Sequence, residues 1–543
     1  MYKDGKVWLA LNDDGEEICL LPGKANRHGL VAGATGTGKT VTLRVMAEAF
    51  SDMGVPVFLA DVKGDLAGMM APGIDSEDMQ ARIERFGLAQ NGFSYKGYPV
   101  TFWDIYGQKG IQLRTTISEM GPLLLARILK LNELQSNILS IVFKIADDNG
   151  LLLTDTKDLK AMLNHVNENR KEFEAEYGKM SPASIAAILR AVVALEIDGG
   201  EVFFGEPGLN IRDWLATEDG KGMINILASE SLINNGRLYS TFLLWMLSEL
   251  FEKLPEVGDP AKPKMVLFFD EAHLLFNDAP KVLLEKIEQV VKLIRSKGVG
   301  VYFCTQNPRD IPDGVLAQLS NRVQHALRAY TPADQKAVRA AADSFRENPA
   351  FNTFDTIMEL GTGEAVISFL QEDGIPSIAQ KTKVLPPQSR MGAVTDAERE
   401  QKINDSLLYA KYAEPEDPET AYEILERLGI ERAEALAKAK EQAEIAKAEA
   451  AAAKLREKEA AAAEAAARKE QEKAEREAAR QEKLEADAKK RAAKQVGSTV
   501  AGTVGREVGK TVGGTIGGKF GKTLGGNLGA SLGRGILNTL FGK

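Results

Sequence analysis

Eight residues constrain this chain more than any others: Gly33-Ala34-Thr35-Gly36-Thr37-Gly38-Lys39-Thr40. They satisfy the spacing G-x-x-x-x-G-K-[ST]. The apolar run Leu30-Val31-Ala32 precedes them, and Val41-Thr42-Leu43-Arg44-Val45-Met46-Ala47 follows with helical spacing. A strand running into a glycine-rich turn and then a helix is the setting in which this motif works. The glycines let successive backbone N–H groups face one point, and the helix adds the positive end of its dipole. A loop of this kind wraps the phosphates of a nucleoside triphosphate. The expected contacts are Gly33, Ala34, Thr35, Gly36, Thr37, Gly38, Lys39, Thr40 and Val41. Lys39 is expected to reach the β- and γ-phosphates, and the Thr40 hydroxyl to ligate Mg²⁺. ATP and Mg²⁺ are therefore the expected ligands.

Such a loop needs a parallel sheet behind it, and the chain supplies the strands. Residues 5–23 read as a hairpin about the turn Asn12-Asp13-Asp14-Gly15. Val55 to Ala60 reads as a buried strand ending in Asp61-Val62-Lys63-Gly64-Asp65. Ligands of open α/β sheets sit at the carboxyl ends of strands, which places Asp61, Lys63 and Asp65 near the nucleotide. A solvated turn is the alternative there. Pro99 to Asp104 is a further strand, and the pattern from about 112 to 215 is helical, with packing as its expected role.

The continuous run Met265-Val266-Leu267-Phe268-Phe269 suits a central parallel strand buried on both faces. It ends in Asp270-Glu271. Asp270 is expected to hold the Mg²⁺ shell, and Glu271 to orient and deprotonate an attacking water. A helix is expected over 280–296. Val299 to Thr305 is another core strand, and Gln306 at its carboxyl end is placed to sense the γ-phosphate or the water. Glu364 to Leu370 reads as the last strand, and Pro386-Pro387-Gln388-Ser389 as a linker.

The order and spacing of these stretches resemble the HerA/FtsK ATPases, and most closely the bacterial HerA-like helicase branch. The resemblance rests on four stretches: Gly33 to Thr40; Phe269-Asp270-Glu271-Ala272-His273; Ile294-Arg295-Ser296-Lys297-Gly298-Val299-Gly300; and Cys304-Thr305-Gln306-Asn307-Pro308. Asp61-Val62-Lys63-Gly64-Asp65 is similar to the acidic segment of the HerA branch. The resemblance implies an α/β fold with a RecA-like P-loop core over residues 1–390, assembled as a hexameric ring that couples ATP hydrolysis to moving on DNA. It also implies an arginine acting on the neighbouring subunit's nucleotide. Arg295 occupies that position, with Arg322 and Arg328 next in line.

Composition limits the rest. Net charge is −9 over 543 residues, so nothing global points to nucleic acid. Cys19 and Cys304 both sit in apolar runs, which suggests reduced, buried thiols. With neither a leader-like N-terminus nor an apolar stretch of about 20 residues, the chain is expected to be cytoplasmic.

Residues 391–418 read as a polar connector, and 419–494 as an Ala/Glu/Lys/Arg-rich helix. Its large apolar residues are too sparse for a sustained coiled-coil seam, which favours a solvated spacer or a weak coiled coil. In 495–543 apolar residues recur every fourth position from Val500 to Leu540, followed in the same period by glycines from Gly505 to Gly533. On a helix this makes a glycine zipper, and on a strand it makes two unlike faces. Six basic residues there face one acidic residue, Glu507. Three readings stay open: self-association, contact with a membrane surface or protein partner, and an unfolded tail.

Overall fold

The computed structural model describes residues 1–276 and 281–490. These belong to two units, Met1–Leu425 and the chain from Glu426 onward.

In the first unit the strands in chain order are β1 (Tyr2–Lys3), β2 (Lys6–Asn12), β3 (Glu17–Leu20), β4 (Gly29–Ala32), β5 (Val57–Asp61), β6 (Val100–Asp104), β7 (Ile111–Gln112), β8 (Thr217–Glu218), β9 (Lys221–Gly222), β10 (Ile224–Ala228), β11 (Met265–Phe269), β12 (Val299–Thr305), β13 (Asn321–His325), β14 (Glu364–Ser368) and β15 (Gln380–Val384). Among the described residues thirteen form one sheet, ordered β1-β2-β15-β14-β13-β4-β12-β11-β5-β10-β6-β7 with β3 beside β2. The strands from β13 through β6 run parallel. The β14, β15, β2 and β1 flank is antiparallel.

Every residue of β4, β5, β6, β10, β11 and β12 is buried. That is why these strands read as unbroken apolar runs: helices cover both faces of a parallel sheet. Alternate residues feed two cores. Val57, Leu59, Val266 and Phe268 pack with Leu43, Met46 and Phe50 of the helix Lys39–Asp52. Phe58, Ala60, Leu267 and Phe269 pack on the other face with the helix Gly236–Lys253 and the helices between 117 and 203. Gly236–Lys253 is buried continuously from Leu238 to Leu250 because it lies between sheet and helices. Its Phe242 ring meets Phe58 at 6.2 Å on the sheet side and Phe203 at 6.3 Å on the other.

Several expectations from sequence need correction. The strand at 364–370 is not the last: β15 inserts between β14 and β2. Its residues Gln-Lys-Thr-Lys-Val bury only Thr382 and Val384, so no apolar run announces it. Cys19 is only partly buried, because β3 pairs with β2 alone at the sheet's edge. Residues 386–389 are not a loose linker. The Gln388 and Ser389 amides donate to the buried Glu48 carboxylate at 2.8 and 3.0 Å, strapping the chain to the Lys39–Asp52 helix. The compact unit also runs past 390. Arg399 lies over the Phe102 ring at 4.8 Å, and Tyr412 packs edge-on against Trp103 at 5.7 Å.

The described part of the second unit is a continuation of one helix, Ala421–Lys490. Its length is roughly 105 Å at 1.5 Å per residue. Ile430, Leu436, Ile445 and Leu455 are all more than half exposed. The glycine-rich stretch 495–543 lies outside the described residues. Among the described residues no single helix is long and apolar enough to cross a membrane.

Candidate active site

The loop 33–40 leaves the carboxyl end of β4 and is anchored by the strands on either side. Gly33 N donates to Thr305 O of β12 at 3.2 Å, and Ala34 N to Ala326 O just beyond β13 at 2.8 Å. Gly33 has φ +156°, and a Cβ there would stand 2.5 Å from His325 Cβ, so the approach excludes any side chain. Gly38, at φ +116°, turns the chain into the helix. The Lys39 ammonium donates to Gly33 O at 2.7 Å and Ala34 O at 3.1 Å. Burial lowers its pKa, against the opposing pull of Glu271 and Asp270. Thr35 and Gly36 form the exposed tip, while Thr40 and Val41 sit partly buried in the first helical turn.

A histidine braces this loop. His325 Nε2 lies 2.8 Å from Thr42 Oγ1, and Nδ1 lies 2.8 Å from Glu364 O. A carbonyl can only accept, so Nδ1 carries the proton and Nε2 accepts from the hydroxyl. Burial pushes the imidazole pKa down to about 4, so the ring is neutral at physiological pH. Gly363 N adds a bond to Thr37 O at 2.9 Å. The antiparallel flank thus holds the loop from one side.

The carboxylates stand at the end of β11. Asp270 Oδ1 accepts from Glu271 N at 3.0 Å, while its buried Oδ2 has no partner. Burial first, and then the neighbouring Glu271, raise the Asp270 pKa to about 6. Glu271 turns away with φ +47°, a left-handed conformation that costs about 1 kcal/mol or more outside glycine. Ala272 N pins the turn to Cys304 O at 2.7 Å. The Glu271 carboxylate accepts from Lys63 Nζ at 2.6 Å and Gln306 Nε2 at 3.2 Å, with His273 Nδ1 at 3.4 Å. Burial alone would raise its pKa, but the Lys63 and Gln306 hydrogen bonds carry it below the ordinary glutamate value.

The acidic segment after β5 divides its roles. Asp61 faces its own loop: Oδ1 accepts from Lys63 N at 3.3 Å and Gly64 N at 2.8 Å, and Oδ2 from Leu66 N at 3.0 Å. Burial and then Asp65 push its pKa up to about 7. Arg44 Nη2 donates to Asp65 O at 2.6 Å, tying this loop to the Lys39–Asp52 helix. Of the three residues expected near the nucleotide, Lys63 is the one bonded to Glu271.

The donor set suits Mg²⁺. Asp270 brings an orphaned, buried carboxylate oxygen and Thr40 a hydroxyl, both oxygen donors of the kind a hard cation takes. Asp270 and Thr40 would hold the ion, which supplies neutralisation of phosphate charge.

The three arginines are placed differently. Arg295 lies in the turn before β12, at the amino-terminal edge of the parallel strands, about 20 Å of strand rise from Gln306. Its guanidinium pairs with Asp259 at 3.2 Å, which also binds Arg27 at 2.8 Å. Within one chain it does not meet the site. Arg328 donates to Met358 O and Leu360 O at 2.6 and 3.1 Å. Arg322 Nε donates to Leu319 O at 3.2 Å, with the guanidinium partly buried.

Sequence reasoning missed His325, Arg44 and Glu48. The one available signal was charge inside apolar helical spacing, since Arg44 and Glu48 lie four apart on a helix buried all round.

The family model described as "Helicase HerA-like C-terminal" matches residues 7–520. The DNA double-strand break repair helicase HerA of Sulfolobus acidocaldarius is 22% identical over 357 residues, covering 65% of this chain and 64% of that protein. The protein of the same name from Sulfurisphaera tokodaii is 20% identical over 378 residues, covering 68% and 67%. The chain thus spans slightly under two thirds of the Sulfolobus relative's length. Among solved structures, the plasmid coupling protein TrwB in complex with a non-hydrolysable ATP analogue is 17% identical, covering 68% of this chain and 87% of its own, with a TM-score of 0.47. With the family model running from β2 past the long helix, and the loop, the carboxylate pair and Gln306 on one sheet edge within it, this chain belongs to the helicase HerA-like C-terminal family.

Proposed function

We propose that the chain is an ATP-hydrolysing motor that assembles as a ring of six copies, in the manner its family resemblance implies, and moves on DNA. One observation carries the hydrolytic reading: Lys39, Asp270, Glu271 and Gln306 converge at the carboxyl edge of adjacent parallel strands. Lys39 and the loop amides bind the phosphates. Glu271 takes a proton from water as the water oxygen attacks the γ-phosphorus. The bond from that phosphorus to the β–γ bridging oxygen breaks, and ADP leaves with the electron pair. Gln306 orients the carboxylate and the water. Thr40 and Asp270 would hold Mg²⁺, which would supply positive charge against the phosphates.

The position of Arg295 on the far edge of the sheet supports a site completed by a neighbouring copy, where its guanidinium meets the γ-phosphate. DNA enters through the two relatives described above, both named DNA double-strand break repair helicases. The test is ATP turnover at low salt with and without single- and double-stranded DNA. Several-fold stimulation is expected. Turnover that ignores DNA, with no DNA binding, refutes the DNA motor. The fourfold apolar and glycine repeat of 495–543 favours a second reading, an ATPase acting on a protein or membrane surface. That reading expects liposome or partner binding that is lost when the stretch is deleted.

A further inference from the structure

We infer that Lys63 is a positioning residue for Glu271, holding the carboxylate in the orientation from which it acts on water. The inference rests on the hydrolytic reading above and assigns a task to a residue outside the loop and carboxylate motifs.

Glu271 needs such a partner. It leaves β11 in a left-handed conformation, and only 5% of its side chain is exposed. Of the groups around its carboxylate, Lys63 Nζ is nearest, 2.6 Å from Oε1, while Gln306 and His273 approach the other oxygen at 3.2 and 3.4 Å. Lys63 donating to one oxygen and Gln306 to the other fix the carboxylate's rotation as well as its position. The remaining lone pairs set the direction from which a water can be held.

The lysine is itself held. Its backbone N–H and those of Gly64 and Leu66 all donate to the Asp61 carboxylate, which closes the loop into one shape. Arg44, from the helix that follows the phosphate loop, fastens the same segment through Asp65 O. Asp61 therefore reaches the chemistry at second hand: it shapes the loop, the loop aims Lys63, and Lys63 aims Glu271. The Lys63 side chain is 47% exposed, so the pair is partly screened and its worth to stability is small. Orientation is what the contact supplies.

Steady-state ATP turnover and binding of a fluorescent ATP analogue test this in Lys63→Ala, Lys63→Arg, Glu271→Gln and Lys63→Ala/Glu271→Gln, with melting temperature confirming that each folds. Lys63→Ala is expected to lower kcat about 10- to 100-fold, the scale of a misplaced catalytic group, with KM and analogue affinity within about twofold. Lys63→Arg is expected to recover much of the loss. On the Glu271→Gln background, removing Lys63 is expected to change residual single-turnover hydrolysis by less than about twofold, because both act through one group. Wild-type kcat in Lys63→Ala, a loss confined to KM, or an undiminished loss on the Glu271→Gln background overturns the proposal while leaving the hydrolytic reading intact. Wild-type turnover in Glu271→Gln overturns the hydrolytic reading first, whatever Lys63→Ala does.

Discussion

The brace behind the phosphate loop makes stability depend on pH through one histidine. His325 is fully buried, and burial holds it neutral, with Nδ1 donating to Glu364 O and Nε2 accepting from the Thr42 hydroxyl. Its pKa is near 4 in the folded chain, because burial disfavours the charged ring, and 6.5 in the unfolded chain. Between these values the unfolded state binds the extra proton, so folding stability falls as pH drops from 6.5 toward 4. Integrated from pH 7 to pH 5, the loss comes to about 2 kcal/mol from this one residue. His325→Gln keeps an amide that can donate to Glu364 O and accept from Thr42, but it does not titrate. His28, Asp61 and Asp270 also have displaced pKa values, but they are present in both proteins and cancel in the comparison. Calorimetric melting at pH 7 and pH 5 reads the difference. For a unit of this size, about 2 kcal/mol corresponds to about 2 °C, so wild type should lose about 2 °C more than His325→Gln. Melting temperatures that fall in parallel would refute the neutral, doubly bonded histidine.

Two further perturbations probe the strap and the far edge of the sheet. Glu48→Ala leaves the buried Gln388 and Ser389 amides unpaired, a loss of about 1–3 kcal/mol for each. Amide exchange at 388 and 389 should lose its protection, and unchanged exchange would count against the strap. Arg295→Ala should spare nucleotide binding but slow turnover by about 10³-fold or more if it acts on a neighbour's site. Mixed with Glu271→Gln subunits it should regain some hydrolysis. Verified mixed assemblies with no recovery would place the role elsewhere.

The parallel core was legible because each central strand is buried on both faces and therefore reads as an apolar run, as in Met265–Phe269 and Val299–Thr305. Polar residues at the carboxyl ends of those runs marked Asp270, Glu271 and Gln306. The antiparallel flank was not legible. β15 buries only two of its five residues, and β13 carries the buried Asn321 and His325, whose hydrogen-bond partners are distant in the chain. Gln388 and Ser389 looked like a linker because proline and polar residues usually mark one. Their partner, Glu48, lies some 340 residues earlier. Asp61 and Lys63 were placed at the right edge by the strand rule, but only side-chain geometry separates the residue that shapes the loop from the one that touches Glu271.

The most direct measurement compares wild type, Glu271→Gln and Lys39→Ala for binding of ATP with Mg²⁺ and for release of phosphate. Wild type should bind and turn over. Glu271→Gln should bind as tightly but release phosphate at least about 10²-fold more slowly, because the group that takes the proton from water is gone. Lys39→Ala should lose tight binding. Phosphate release by Glu271→Gln at the wild-type rate would contradict hydrolysis at this site.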